Sequence, residues 1–174
     1  MIPDRNLPPD SLVLSLPDEA ATLALANALA GHLRAGDIVF LIGDLGSGKT
    51  AFARGLITAL PSPEGDGGEE VPSPSFTLVQ IYERRPAPVW HVDLYRLERP
   101  EEVAELGLEE AARDAITLIE WPDRLGRVPE DCLEVRLSYG ETATARTAVL
   151  AGHGTWRDRL AAFEAEPGRA AGHG

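Results

Sequence analysis

Between Gly43 and Thr50 the chain reads GDLGSGKT, which satisfies G-x-x-x-x-G-K-[ST] and carries an extra glycine at Gly46. Residues of these types at this spacing bind phosphate. Glycines lack side-chain bulk, so consecutive backbone N–H groups can curl around an anion. The lysine of such a loop, here Lys49, reaches the β- and γ-phosphates, and the next hydroxyl, Thr50, ligates Mg²⁺. A chance glycine-rich turn between a strand and a helix is the plainer alternative, and the flanking sequence argues against it. DIVFLI, Asp37 to Ile42, is a short apolar, β-branched run that predicts a buried strand. KTAFARGLITAL follows, with Phe52, Leu56, Ile57 and Leu60 at helical spacing, so phosphates would meet a helix N-terminus.

A loop that hydrolyses its nucleotide also needs acids for the metal and for the attacking water. Two apolar runs end in one: VWHVD at Asp93 and AITLIE at Glu120. Either can play the Walker-B part. Acids at strand ends are also common without a function, so both readings stay open for each. A pair of them downstream of an intact loop argues that at least one serves the metal. In PSPSFT, Ser73, Ser75 and Thr77 alternate and share one side of an extended chain. They follow a proline-, glycine- and acid-rich stretch from Pro61 to Pro74, the build of a γ-phosphate sensor that orders on its nucleotide. An ordinary polar loop entering a strand has the same build. The single cysteine, Cys132, lies in CLEVRL and reads as a core thiol, and four scattered histidines add no zinc spacing.

The surrounding elements must hold these groups together. PDEAATLALANALAGHLRAG predicts a first helix, with Leu25, Leu29 and Leu33 four apart. FTLVQIYE and PVWHVDLY predict an antiparallel pair of strands, and RPEEVAELGLEEAARD one or two short helices. AITLIEW predicts a strand, CLEVRLSY with ARTAVLAG a closing hairpin, and TWRDRLAAFEAE a terminal helix. The expected class is α/β, a P-loop NTPase-like three-layer fold with a mixed parallel/antiparallel central sheet. Its nucleotide should lie at the sheet's carboxyl edge. The 174 residues are expected to form one domain over 1–166, with a disordered tail at 167–174.

Composition narrows the partners. Twenty-eight acidic against sixteen basic side chains leave a net charge of −12, with no basic stripe. Strong direct nucleic-acid binding is therefore not expected, since phosphate neutralisation dominates such affinity. An acidic protein can still dock on a basic partner that holds RNA. No apolar run approaches membrane-spanning length, MIPDRNLPPD lacks the features of a signal peptide, and a lone cysteine forms no internal disulfide. A cytoplasmic protein is expected.

GDLGSGKT, PSPSFTLVQIYE, HVDLYRLE, ELGLEE and IEWPDRL, in this order, resemble the TsaE (YjeE) family. LPDEAATLALANALA resembles that family's first helix, so the similarity spans about residues 12 to 140. The resemblance implies a small ATPase required for N6-threonylcarbamoyladenosine at position 37 of tRNAs reading ANN codons. It implies a nucleotide switch acting with TsaB and TsaD, using ATP and Mg²⁺, weak alone and stimulated by those partners. Carried over by motif, Leu45, Gly46, Ser47, Gly48, Lys49 and Thr50 hold the phosphates of ATP or ADP. Thr50 and Glu120 would ligate Mg²⁺, Asp93 matches a Walker-B-like aspartate, and Ser73 to Thr77 match a switch segment. The implied catalytic set is Lys49, Thr77, Asp93 and Glu120. Glu19 matches an acid near the nucleotide, and it equally suits the positive end of a helix. Ser75 stands where the family usually has threonine.

Two rivals compete with this reading. A small-molecule P-loop kinase normally closes an arginine-bearing lid, whereas Ser62 to Val71 carries no arginine and four acids. A GTP-dependent module would read guanine through N-K-x-D, which occurs nowhere in the chain.

Overall fold

The computed structural model describes residues 7–65, 71 and 77–167. Its elements run β1 (Leu12–Leu16), α1 (Glu19–Ala30), β2 (Ile38–Ile42), α2 (Lys49–Ala59), β3 (Val79–Tyr82) and β4 (Val89–Asp93). There follow α3 (Pro100–Ala104), α4 (Leu108–Asp114), β5 (Ile116–Glu120), a 3₁₀ turn (Pro122–Leu125), β6 (Cys132–Tyr139), β7 (Arg146–His153) and α5 (Trp156–Glu164).

One sheet carries all seven strands, in the order β1-β7-β6-β2-β5-β4-β3. Its centre is parallel: β2 pairs with both β5 and β6, and β4 pairs with β5, all in one direction. The edges are antiparallel, through β3 on β4, β7 on β6 and β1 on β7. The sequence accounts for this split. The four residues of VFLI within Val39–Ile42, and all of Ile116–Glu120, are apolar apart from Thr117 and the terminal acid, as strands covered on both faces must be. The outer strands alternate and turn one side to water; Val13 and Ile81 are exposed.

Helices cover both faces, which makes three layers. α1, α2 and α5 pack on one side through Leu25, Leu29, Phe52, Leu56, Trp156, Leu160 and Phe163. On the other side α3, α4 and the 3₁₀ turn close over Phe40, Val92, Leu94 and Ile119. Arg159 pins α5 beneath β2: its guanidinium stacks 3.7 Å from the Trp156 ring and forks onto both Asp37 carboxylate oxygens at 2.6 and 2.7 Å. Asp37 is therefore not the first strand residue that the pattern suggested. It closes the turn before β2, accepting the Arg34 N–H at 2.7 Å.

The expected antiparallel pair, the closing hairpin, the two short helices and the terminal helix all form. β1 is an element the sequence pattern did not disclose. It has five residues, with only Leu12 and Leu16 buried, and prolines at 8, 9 and 17 flank it. The periodicity is too short there to separate a strand from a loop. Ser73, Ser75 and the expected tail from 168 onward lie outside the described residues, as do 66–70 of the acidic stretch.

α2 leaves the phosphate loop and must lie close against α1, and Gly55 is where they meet. A Cβ built there falls 2.9 Å from the Ala26 Cβ and 3.2 Å from a Leu23 methyl. Ala26 is already minimal, so neither helix can yield without shifting. Gly55→Val should destabilise the protein by about 1–3 kcal/mol through overpacking. Urea unfolding measures this; an unchanged midpoint would show that the α1–α2 contact is loose.

Candidate nucleotide site

The phosphate loop leaves β2 at Ile42 and enters α2 at Lys49. Its first glycine is required by space as well as by conformation. Gly43 has φ +158, and a Cβ there would stand 2.4 Å from both the Leu137 carbonyl and the Ser47 hydroxyl. That hydroxyl is itself buried and has no hydrogen-bond partner among the described residues. An unsatisfied polar atom inside a backbone cradle suits an anion's oxygen.

Lys49 lies inside the loop, 5% exposed. Its ammonium donates to the Gly43 carbonyl at 2.5 Å and the Asp44 carbonyl at 2.8 Å, and stands 4.6 Å from the Trp121 ring centroid. Burial pushes its pKa below the ordinary lysine value, while the Glu120, Asp93 and Asp44 carboxylates oppose that shift.

Both acids converge here because of strand register. β4 and β5 run parallel, with Asp93 and Glu120 as direct neighbours at their carboxyl ends. Glu120 is almost fully buried and uses both oxygens. Oε1 lies 3.4 Å from the Thr50 hydroxyl, and Oε2 lies 2.8 Å from Nε2 of His91. Asp93 is also buried, and one of its carboxylate oxygens accepts the Tyr95 N–H at 3.0 Å. Leu94 then donates its N–H to the Glu120 carbonyl, which ties the two strand ends together.

Trp121, next after Glu120, adopts φ +58 and turns its ring toward Tyr95, with centroids 5.0 Å apart. Thr77 reaches the same edge through β3, since the Leu78 carbonyl accepts the Asp93 N–H at 2.9 Å. The Thr77 hydroxyl accepts from the Gln80 side chain at 2.9 Å. Glu19 begins α1 and is exposed; the helix is capped by Asp18, whose carboxylate accepts the Ala21 N–H. Among the described residues no hydrogen bond joins Glu19 to the loop, and as an acid in the first turn of α1 it also suits the positive end of that helix.

Three residues that the motifs did not single out touch this group. His91 grips Glu120 from inside β4. Tyr139 and Arg146, on the β6–β7 hairpin, hydrogen-bond the Leu45 and Gly46 carbonyls. His91 could have been suspected from its place in a strand buried on both sides, where a histidine needs a polar partner. No local signal marks Tyr139 or Arg146, which lie almost a hundred residues beyond the loop. A hollow of about 800 Å³ lies away from this site, on the other face among Val103, Leu108, Ile119 and Val128.

A family profile described as threonylcarbamoyl adenosine biosynthesis protein TsaE matches residues 16–148. The chain belongs to the TsaE family. A Nostoc protein named tRNA threonylcarbamoyladenosine biosynthesis protein TsaE is 36% identical, the match covering 84% of this chain and 90% of that one. A Rickettsia felis protein of the same name is 43% identical over 64% of this chain, a match that spans only 63% of the relative's own length. Among solved structures, YdiB from Bacillus superposes with a TM-score of 0.70 at 25% identity, covering 87% of this chain and 92% of that one. The architecture is the P-loop NTPase-like fold that the sequence predicts. The names of these relatives place them in the biosynthesis of threonylcarbamoyladenosine in tRNA.

The donor set also suits a small hard cation. Thr50 and Glu120 present oxygens side by side, while no cluster of three His, Cys, Asp or Glu able to hold a metal alone exists among the described residues. Mg²⁺ fits such a site because it takes one or two protein oxygens and completes its shell with phosphate and water.

His91 offers a check on the assembly. With Nε2–H donating to Glu120, Nδ1 has no partner among the described residues, so the imidazole is spent on that one contact. His91→Leu strips a buried carboxylate of a donor and should cost about 1–3 kcal/mol of stability. His91→Gln retains an N–H donor and should recover part of the loss. Equal urea midpoints for Leu and wild type would mean that the contact contributes nothing.

Proposed function

We propose that this TsaE-family protein is a Mg²⁺-dependent ATPase that acts as a nucleotide switch for the threonylcarbamoyl modification of tRNA. The observation that carries the reading is the convergence of Lys49, Thr50, Asp93 and Glu120 on one sheet edge, around a loop shaped for phosphate. Lys49 would meet the β- and γ-phosphates of ATP. Thr50 and Glu120 would hold Mg²⁺, which when bound neutralises charge developing on the phosphates. Asp93, one strand further out, would orient the attacking water. The backbone of Leu45 to Gly48 would wrap the β-phosphate, so ADP remains bound after hydrolysis.

The switch would lie between Ser73 and Thr77; Thr77 is followed by Leu78, whose carbonyl accepts the Asp93 N–H. A γ-phosphate held by the hydroxyls of Ser75 or Thr77 would favour one arrangement of that segment, and ADP lacks the group. A nucleotide shifts a conformational equilibrium only by its differential affinity for the two states. The partners on this reading are TsaB and TsaD, which prefer the ATP form and stimulate a weak intrinsic ATPase. On this reading residues 1–166 form one ATPase domain that acts in the cytoplasm. Among the described residues no helix is long and apolar enough to cross a membrane. A net charge of −12 fits a protein that leaves contact with the tRNA to others.

Removing the phosphate's charge-assisted partner in Lys49→Ala should abolish nucleotide binding or lower it steeply, as read by titration with a fluorescent ADP. Glu120→Gln should lower Mg²⁺-supported hydrolysis while metal-free ADP binding persists. Wild-type ADP affinity in the lysine variant would refute the phosphate site. A second measurement tests the switch: affinity for the TsaB–TsaD pair should be higher with a non-hydrolysable ATP analogue than with ADP. Equal affinities would leave an ATPase without a switch.

A further inference from the structure

The crown of the phosphate loop is held from outside by two side chains of the β6–β7 hairpin. The Tyr139 hydroxyl donates to the Leu45 carbonyl at 2.6 Å. The Arg146 guanidinium stacks 4.7 Å from the Tyr139 ring and donates to the Gly46 carbonyl at 3.2 Å. The hairpin's own carbonyls fix that guanidinium, through bonds to Ala143 at 2.9 Å and Ala145 at 2.8 Å. The hairpin is in turn fixed to the fold. Arg146 pairs with Leu16 of β1, and the Thr144 hydroxyl bonds the Pro17 carbonyl just ahead of α1.

The two carbonyls belong to consecutive peptide units that share Gly46. A trans peptide is planar with N–H and C=O opposed, so holding a carbonyl aims the N–H on its far side. Tyr139 therefore points the Gly46 N–H away from the hairpin, and among the described residues that N–H has no acceptor. Arg146 fixes the next plane, whose Ser47 N–H closes a turn onto the Asp44 carbonyl at 3.1 Å. With both planes set, the backbone torsions of Gly46 follow, and its φ is +77. That left-handed φ favours glycine, and a Cβ on Gly46 would stand 2.7 Å from the Tyr139 hydroxyl and displace it.

We infer that Tyr139 and Arg146 are positioning residues that hold the loop in its phosphate-binding shape before the nucleotide arrives. They touch no phosphate themselves. Their contribution is the ordering that a free glycine-rich loop would otherwise supply on binding, which is a direct gain in affinity. The inference rests on the phosphate-site reading above, and Lys49→Ala is the control that separates the two.

The variants are Tyr139→Phe, which removes one hydroxyl and keeps the ring, Arg146→Met, and the pair together. Each single change should weaken Mg-ADP binding by about threefold, and the pair by about tenfold, the scale of one to two exposed hydrogen bonds. Pyrophosphate, competing against a fluorescent ADP, should weaken by the same factor, because the effect lies in the loop and not in stacking of the base. In ¹H–¹⁵N spectra of the nucleotide-free variants, the Gly46 and Ser47 amides should shift while the urea midpoint stays at the wild-type value. A merely structural pair would lower the midpoint and leave those amides and the ADP affinity of the folded protein unchanged, which would overturn the inference. Unchanged ADP affinity in the double variant, with Lys49→Ala losing it, would overturn it as well. Retained affinity in Lys49→Ala would remove both the inference and the phosphate site beneath it.

Discussion

A single buried ammonium organises the carboxyl edge of this sheet. Lys49 is almost wholly withdrawn from water, and a cation so placed is stable only if its neighbours replace the hydration it has lost. Two carbonyls of its own loop, the face of Trp121 and three carboxylates do so. Each demand reaches back into the sequence. The loop that turns the Gly43 and Asp44 carbonyls inward passes so close to Leu137 and Ser47 that a Cβ at 43 would stand 2.4 Å from each, hence the glycine. The Trp121 ring comes over the ammonium from a residue in left-handed conformation, immediately after a strand that ends in Glu120. On the proposed reading, a phosphate entering this site would replace the two carbonyls as the acceptor of the Lys49 ammonium.

The second constraint is register. Parallel strands place residues of equal depth side by side, so Asp93 and Glu120 become neighbours because β4 and β5 pair without offset. A slip of one residue in either strand would turn its acid to the opposite face and part the pair. His91 and the Leu94 N–H guard against that slip by tying Glu120, side chain and backbone, to β4. The antiparallel edges then have a distinct task. β3 returns the Thr77 segment to the ends of β4 and β5, and the β6–β7 hairpin reaches back to the loop from the opposite side. A purely parallel sheet would need crossover helices for both connections.

Much of this is legible in the chain itself. The phosphate loop, its strand and helix, both strand-ending acids and the hairpins follow from local pattern, because spacing and apolar runs are local properties. Three things are not local. β1 carries two inward leucines between prolines, too little periodicity to define a strand. Asp37 belongs to an ion pair with Arg159, 122 residues away, and that partner decides where β2 begins. Tyr139 and Arg146 hold the loop across 94 and 100 residues of sequence, contacts that only the assembled sheet creates. The depth of Glu120 was equally hidden, since an acid ending a strand reads the same whether exposed or gripped by a histidine.

Charge resolves a tension in the reading. A protein of net charge −12 would be repelled by a polyanion such as tRNA, yet it belongs to a family named for threonylcarbamoyl adenosine biosynthesis, and the proposed site is one for polyphosphate. The two facts are compatible because they act over different distances. Long-range repulsion depends on net charge and is screened within about 8 Å at physiological ionic strength. Phosphate capture on the proposed reading would depend on a few groups in contact: Lys49, the loop's N–H groups and the positive end of α2. A Mg²⁺ ion on the nucleotide would offset part of its charge, so the local field would prevail for a small ligand. For a long polyanion it would not, because most of that chain would face the acidic surface with nothing to offset it. On the proposed reading, the same charge distribution would admit a nucleotide and disfavour direct contact with nucleic acid, which would leave the tRNA to a partner.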